Sequence, residues 1–166
     1  MKFVGIDPGK EGGISCLDDD GTLTLHTIPK IGDEVDVNAL NEIIEQYVGN
    51  SNHIFALEDV KPFPGTSAMS MGKLMEIKGI KRGILIANKA TYVMVPPKTW
   101  QKVAWSGVPN MKKSNMKNDT KGMSLVAASR IFPNEKFLAT SRSRVPHDGL
   151  VDAALMSFYL KSTYGK

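Results

Sequence analysis

The 166-residue chain lacks most features that would assign it to a class at once, since it has one cysteine, 7% aromatic residues and no long apolar run. The lone Cys16 excludes an intramolecular disulfide and an all-cysteine metal site, and it suits a reducing compartment. No apolar run approaches the ~18 residues of a membrane helix. No secretory signal precedes the strand-like run that begins at Lys2. The sequence therefore predicts a cytoplasmic protein with no membrane partner.

Acidic residues are also scarce in the middle of the chain. Residues 1–59 hold 3 Lys/Arg and 12 Asp/Glu, whereas residues 60–146 hold 16 Lys/Arg and only 3 Asp/Glu. The net charge of +4 alone would fit a solvated, lysine-rich surface, but its segregation favours a polyanionic partner such as nucleic acid. The hydrophobic content of 42% excludes a disordered chain, and the length predicts one domain over residues 1–166.

Apolar periodicity predicts a sequence of strands and helices. Strands are expected at 2–7, 14–17, 22–28, 54–58 and 91–95. Helices are expected at 37–48, 67–88, 98–103, 120–132 and 148–160, with breaks at Gly49-Asn50 and at Pro62, Pro64 and Gly65. The order of these elements predicts an α/β fold in which helices flank a central, mixed, five-stranded sheet. The polar segment 105–119 is expected to be a mobile loop that becomes ordered on binding.

Four carboxylates lie at the ends of these elements. Asp7 ends the first strand and Glu58 the fourth, while Asp148 and Asp152 share one face at the start of the last helix. For a single acid at a strand end, a helix cap or salt-bridge partner is the simpler explanation. Four acids from distant parts of the chain instead predict a divalent-cation site, with two Mg²⁺ ions or Mn²⁺ as substitute, because oxygen ligands favour these metals over zinc.

Three sequence blocks carry a resemblance to a known family. Residues 5–9 (Gly-Ile-Asp-Pro-Gly), Leu57-Glu58 and residues 147–155 (His-Asp-Gly-Leu-Val-Asp-Ala-Ala-Leu) resemble the RuvC-like Holliday junction resolvases, most closely the variants of bacteriophages. The resemblance implies a ribonuclease H-like fold and a homodimer that cuts four-way DNA junctions with Mg²⁺. It also implies no small-molecule cofactor, and the cytoplasm of a bacterium or a phage-infected host cell.

The resemblance also assigns site residues. Asp7, Glu58 and Asp152 match the first, second and last metal-binding acids of the family. Bacterial members carry a further acid three positions before the last, where this chain has Gly149, so Asp148 is expected to replace that ligand. His147 is either a polar residue at the helix start or an additional ligand, and Asp59 is expected to face away from the site.

Basic residues between the second and last acids are expected to hold DNA. Lys121 resembles a family lysine near the scissile phosphate, which adds it to the four acids as a catalytic residue. Trp100 and Trp105 are candidates for stacking on unpaired bases at a junction, whereas the position of Trp100 in a short helix favours the core for that residue. The expected DNA-binding residues are Lys73, Lys81, Arg82, Lys98, Lys102, Lys112, Lys113, Lys117, Lys121, Arg142 and Arg144.

The favoured function is a structure-specific endonuclease that resolves four-way junctions and also accepts flaps or forks. Two alternatives remain. An actin-like or sugar-kinase-like ATPase also opens with a strand and an Asp-Gly turn, but the chain looks short for two lobes and has no second glycine-rich phosphate loop. A module that binds branched DNA without cutting it is the other, although such a binder gains nothing from acids that face phosphate.

Overall fold

The computed structural model describes residues 1–49, 52–61 and 65–165. The predicted breaks at Asn50, Pro62 and Pro64 lie outside the described residues. The described strands are β1 (Lys2–Ile6), β2 (Gly13–Asp18), β3 (Leu23–Thr27), β4 (Lys30–Ile31), β5 (Glu34–Val35), β6 (His53–Glu58) and β7 (Tyr92–Val95). The described helices are α1 (Val37–Val48), α2 (Ala68–Ala87), α3 (Pro97–Ala104), α4 (Thr120–Ile131) and α5 (Asp148–Tyr164).

Five strands form one mixed sheet in the order β3-β2-β1-β6-β7. Strand β2 pairs antiparallel with both β1 and β3, whereas β1, β6 and β7 run parallel to one another. The hairpins of the first three strands need only short turns, and the parallel pairs require the helical crossovers through α1 and α2. The predicted five-stranded mixed sheet is confirmed.

Helices cover both faces of this sheet. Because neighbouring residues of a strand point to opposite faces, Phe3 packs with residues of α3, α4 and α5, while Val4 and Ile6 pack with α1 and α2. All three side chains are fully buried. The sheet therefore has a hydrophobic core on each face, and helix α5 covers the centre of one of them.

Side-chain caps define the helix starts that the sequence predicts. Asp36 accepts a hydrogen bond from the Ala39 backbone N–H at 3.0 Å, and Asp119 accepts one from Gly122 at 3.2 Å. Such caps satisfy backbone donors that have no partner inside the helix. Helix α1 spans the predicted residues 37–48 without a shift.

Two features differ from the sequence prediction. The small hairpin β4–β5 was not predicted, because two-residue strands carry no periodicity. Ion pairs between Lys10 and Asp33 and between Glu11 and Lys30 join this hairpin to the turn after β1. In the predicted mobile loop, residues 112–118 form a small hydrogen-bonded hairpin closed by a bridge between Lys112 and Asn118.

No helix within the described ranges is long and apolar enough to span a membrane.

Candidate active site

Asp7 and Glu58 leave the sheet side by side. Ile6 of β1 pairs with Leu57 of β6 in parallel register. Glu58 is the last residue of β6, and Asp7 is the first residue after β1, so the two acids occupy neighbouring positions at the ends of adjacent strands. Neighbouring strands lie about 4.8 Å apart, which brings the two carboxylates to the same edge of the sheet. In open α/β sheets this carboxyl edge is where binding sites form.

Helix α5 brings Asp148 and Asp152 to that edge because glycines allow it to touch the sheet. A Cβ atom built on Gly5 of β1 would lie 2.1 Å from the Ala153 carbonyl oxygen. One built on Gly149 would lie 2.6 Å from the backbone of Gly12, in the turn after Asp7. Neither distance leaves room for a side chain, so Gly5 sets how closely α5 packs against β1, and Gly149 sets how closely it packs against the turn after Asp7.

Burial and mutual repulsion raise the pKa values of three of these acids. Desolvation and the negative charges of Asp7 and Asp152 together raise the pKa of Glu58 to about 7, against a hydrogen bond from Trp100 that lowers it. Desolvation likewise raises the pKa of Asp152 to about 7, with Asp7 and Asp148 adding to the effect. Burial also raises the pKa of Asp7. The four acids therefore interact electrostatically as one cluster, in which Glu58 and Asp152 retain protons near neutral pH.

Trp100 orients one member of this cluster. Its indole is fully buried, and Nε1 donates a hydrogen bond to Glu58 Oε1 at 2.9 Å. The core interpretation of Trp100 is therefore confirmed, and stacking on bases is excluded by its burial. The sequence could predict that a buried Trp100 needs a hydrogen-bond acceptor for its indole N–H. It could not predict that Glu58 is that acceptor.

Lys81 is also buried, which contradicts the prediction that it contacts DNA. The side chain has no exposed surface, and its Nζ donates hydrogen bonds to the backbone oxygens of Asp7 at 2.7 Å and Gly9 at 2.8 Å. Burial lowers the pKa of Lys81 to about 8 against the opposing effect of Asp7. Lys81 lies between Ile77 and Ile84 on the face of α2 that packs on the sheet. Its ammonium group therefore holds the Asp7 turn in place rather than a phosphate.

Helix α4 contributes two polar residues to the cluster. Lys121 forms an ion pair with Asp148, and both side chains remain exposed, at 67% and 55%. Asp148 raises the pKa of Lys121, so this ammonium group is charged at neutral pH. The buried Ser124 hydroxyl lies against Asp152 and acts to lower the pKa of that carboxyl. A cavity of about 210 Å³ lies between these residues of α4 and α5.

His147 and Asp59 take other positions. His147 caps α5, where Nδ1 accepts a hydrogen bond from the Leu150 backbone N–H at 3.3 Å. Asp59 accepts a hydrogen bond from Lys78 Nζ at 2.6 Å, which lowers the pKa of Asp59. Asp59 thus has a cationic partner in α2, while His147 lies near enough to Asp7 to lower its pKa.

The acid cluster suits a divalent cation by its chemistry. Carboxylate oxygens are the ligands that Mg²⁺ prefers, and pKa values of about 7 for Glu58 and Asp152 leave protons that a cation would displace. Within residues 1–49, 52–61 and 65–165, however, no three Asp, Glu, His or Cys side chains are placed close enough to hold a metal ion. Side-chain rotation would be needed to form such a site, and the two-ion site stays a prediction.

Apart from the buried Lys81, all residues that the sequence predicts to bind DNA are exposed. They occupy α2, α3, the hairpin at 112–118, the start of α4 and the segment before α5. The exposed members are Lys73, Arg82, Lys98, Lys102, Lys112, Lys113, Lys117, Lys121, Arg142 and Arg144.

Comparison with known proteins identifies the fold. No family model matches the chain, and no curated protein matches it. The chain is similar to a solved structure of Thermus thermophilus RuvC, with 14% identity and a TM-score of 0.55 over 98% of this chain and 96% of that one. It is also similar to T. thermophilus RuvC in complex with a Holliday junction substrate, with 13% identity and a TM-score of 0.61 over 99% and 96%. The likeness shows that the chain has the ribonuclease H-like α/β fold of RuvC, as predicted.

Proposed function

We propose that this chain is a metal-dependent, structure-specific endonuclease that resolves four-way DNA junctions. One observation carries the proposal. Asp7 and Glu58 end adjacent parallel strands in register, and α5 brings Asp152 into the same interacting cluster. The RuvC fold and the Holliday junction bound to the similar RuvC structure support four-way DNA as substrate.

The proposed chemistry is hydrolysis of a phosphodiester bond. Asp7, Glu58, Asp148 and Asp152 would hold Mg²⁺ ions, or Mn²⁺ in their place, which when bound supply an activated water and stabilise the leaving oxygen. Trp100 keeps the Glu58 carboxylate in one orientation, and Lys81 fixes the backbone that carries Asp7. Lys121 faces the same site with a charge that offsets the negative charge developing on the phosphate.

The exposed basic residues support binding of the DNA arms. Each phosphate neutralised adds roughly 0.9 to the negative slope of log affinity against log salt, so about six contacts give a steep dependence. A homodimer suits a junction with two-fold symmetry, because it places one site on each of two opposed strands. The proposal treats residues 1–166 as one nuclease domain that acts in the cytoplasm of a bacterium or a phage-infected cell.

The test is cleavage of a labelled synthetic four-way junction beside a matched duplex and a flap, in Mg²⁺, Mn²⁺ or EDTA. Symmetric nicks near the crossover, lost in EDTA and in Asp7→Asn, are expected. Asp20→Asn is the control, because Asp20 lies in the exposed turn between β2 and β3, at the opposite end of β1 from Asp7. Tight junction binding without cutting in either metal would contradict the nuclease and leave a branched-DNA-binding module. Equal cutting of the flap would widen the substrate to branched DNA.

A further inference from the structure

Residues 112–118 form a small basic hairpin that the proposed chemistry does not use. The Lys113 backbone N–H donates to the Lys117 oxygen at 2.8 Å, and the Met116 N–H donates to the Lys113 oxygen at 2.9 Å. A bridge between Lys112 and Asn118 closes the hairpin. These hydrogen bonds and the bridge close the backbone of residues 112–118 on itself, so the tip of the hairpin is held by contacts within it.

The tip of this hairpin presents an apolar side chain to solvent. Met116 is 75% exposed, and its backbone has φ of +63°, in the left-handed region that side chains disfavour. Exposed lysines surround it at positions 112, 113 and 117. A single exposed methionine is ordinary on a protein surface. Among the described residues, three non-glycine positions have positive φ, at Lys89, Met116 and Phe137, and Met116 is the one that presents an exposed apolar side chain. A strained position of this kind beside exposed lysines motivates a functional contact.

The base of the hairpin is joined to the acid cluster. The Asp119 backbone N–H donates to the Met111 oxygen at 2.9 Å, and a Cβ built on Gly122 would lie 3.1 Å from Met111 Cε. Asp119 also caps α4 and lines the cavity that contains Lys121, Asp148 and Asp152. The hairpin is therefore held beside the residues proposed to cut DNA.

We propose that Met116 inserts between bases at the branch point of a DNA junction while the neighbouring lysines contact the flanking phosphates. This inference rests on the proposed function, because it identifies how the same site selects branched DNA. Apolar side chains that unstack a base step are a general device for deforming DNA. Bases at a branch point are opened with less loss of stacking than bases inside a duplex, so such an insertion favours junctions over linear DNA.

The experiment uses four-way junctions that carry 2-aminopurine on either side of the crossover or within one arm. Fluorescence of this base rises when it loses its stacking partner. With the wild-type chain in EDTA, which prevents cutting, a rise is expected at the crossover and not in the arm. Met116→Ala keeps a Cβ at the strained position and is expected to remove most of that rise. Met69→Ala is the matched control, because Met69 is also 75% exposed but lies at the start of α2.

The outcomes separate this inference from the proposed function. A crossover signal that Met116→Ala leaves unchanged, or that Met69→Ala reduces equally, overturns the insertion. Junction binding and cutting without any fluorescence rise also overturns it, while the endonuclease proposal stands. If the wild-type chain binds the junction no better than duplex and cuts neither, both proposals fail. Loss of the crossover signal only in Met116→Ala, with binding to the duplex unchanged, supports the insertion.

Discussion

The indole Nε1 of Trp100 donates a hydrogen bond of 2.9 Å to Oε1 of Glu58, although the two residues lie 42 positions apart in the chain. This contact fixes the side chain of an acid whose pKa is already raised to about 7 by burial. The hydrogen bond favours the ionised form, which is the form that binds a cation. Trp100 is therefore a positioning residue for Glu58 as well as a part of the core.

Trp100→Phe should weaken divalent-cation binding more than it weakens the fold. The substitution keeps a buried ring but removes the donor, so the pKa of Glu58 is expected to rise further and the site to need more Mg²⁺. Loss of a contact that orients a metal ligand typically lowers metal affinity about 10–100-fold. Titration of the cleavage rate with Mg²⁺ measures the shift, and thermal unfolding in EDTA measures the effect on the fold.

Trp105→Phe is the matched control for that prediction. The Nε1 of Trp105 is buried and is the one buried side-chain nitrogen or oxygen in the described part of the chain that has no hydrogen-bond partner. The ring lies 6.1 Å from the ring of Trp100 in an edge-to-face arrangement. Removal of this unpaired donor breaks no hydrogen bond, so the Mg²⁺ requirement should not change. Equal shifts in the two variants would mean that ring packing, not the bond to Glu58, sets the requirement.

Lys81→Met should disorder the Asp7 turn. The substitution leaves two backbone oxygens without their donor, which costs about 1–3 kcal/mol of stability per buried group, offset in part because a buried ammonium group is removed. The positive charge of Lys81 also lowers the pKa of Asp7, so the pH profile of cleavage should shift to higher pH. Denaturant unfolding and the pH dependence of the single-turnover rate test the two effects.

Lys73→Met is the matched control, because it removes a positive charge from the same helix at an exposed position instead of a buried one. Lys73 is exposed and belongs to the proposed DNA surface, so its loss should reduce the salt dependence of DNA binding. It should leave the stability and the pH profile of cleavage unchanged. A Lys81→Met variant that behaves in the same way would contradict the internal role of Lys81.

Position 81 illustrates what the sequence can and cannot predict. A lysine among Lys73, Lys78 and Arg82 reads as part of a basic surface, yet its spacing from Ile77 and Ile84 places it on the buried face of α2. Helical periodicity therefore indicated that Lys81 is buried, but the prediction followed its positive charge and placed it on the DNA-binding surface. The partner of Lys81 was not predictable, because backbone oxygens of a turn 72 or more residues away have no signature in the sequence.

The position of the acids was easier to predict than their contacts. Parallel pairing of β1 and β6 follows from the order of strands and helices, so the proximity of Asp7 and Glu58 could be inferred from strand ends alone. The β4–β5 hairpin and the bond from Trp100 to Glu58 depend on tertiary packing that leaves no periodic pattern. Sequence patterns therefore predicted where the acids lie, whereas the residues that orient them required the structure.

Without divalent cations, stability should fall as the pH rises from about 4 to about 7. The pKa values of Glu58 and Asp152 are raised to about 7 in the folded chain, from ordinary values of 4.5 and 3.8. The folded state therefore holds more protons than the unfolded state in this interval, and its free energy of unfolding decreases with pH. Below pH 4 both states are protonated, and above pH 7 both are ionised, so the two carboxyls add no further slope.

Thermal melts in EDTA between pH 4.5 and 8 measure this slope, and Glu58→Gln isolates the part due to one acid. The amide cannot ionise, so the variant should show a smaller decrease and melt above the wild type at pH 8. Mg²⁺ should stabilise the wild type at pH 8 through binding to the folded state, and should stabilise Glu58→Gln less. A wild-type curve that rises across this interval would contradict the raised pKa values.

Lys121→Ala should slow cleavage with little effect on the fold. The ion pair between Lys121 and Asp148 is exposed, and pairs of this kind contribute about 0–1 kcal/mol. Loss of a charge that faces a phosphate in the transition state should reduce the single-turnover rate. Lys117→Ala, in the hairpin, is the comparison, because it should weaken DNA binding without changing the rate at saturating protein. Equal rates at saturation for both variants and the wild type would remove Lys121 from the proposed chemistry.

Gly149→Ala should damage the site through packing alone. The added Cβ would lie 2.6 Å from the backbone of Gly12, and backbone atoms cannot move aside as a flexible side chain can. Helix α5 must shift away from the turn after Asp7, which should cost about 1–3 kcal/mol in overpacking and separate Asp148 and Asp152 from the other acids. Gly79→Ala is the opposite case, since Gly79 lies within α2 with nothing within 4 Å of the added atom, and alanine there should stabilise the helix by about 0.5–1 kcal/mol. Denaturant unfolding of the two variants should therefore give changes of opposite sign, and a Gly149→Ala chain as stable and as active as the wild type would show that α5 does not depend on this close approach.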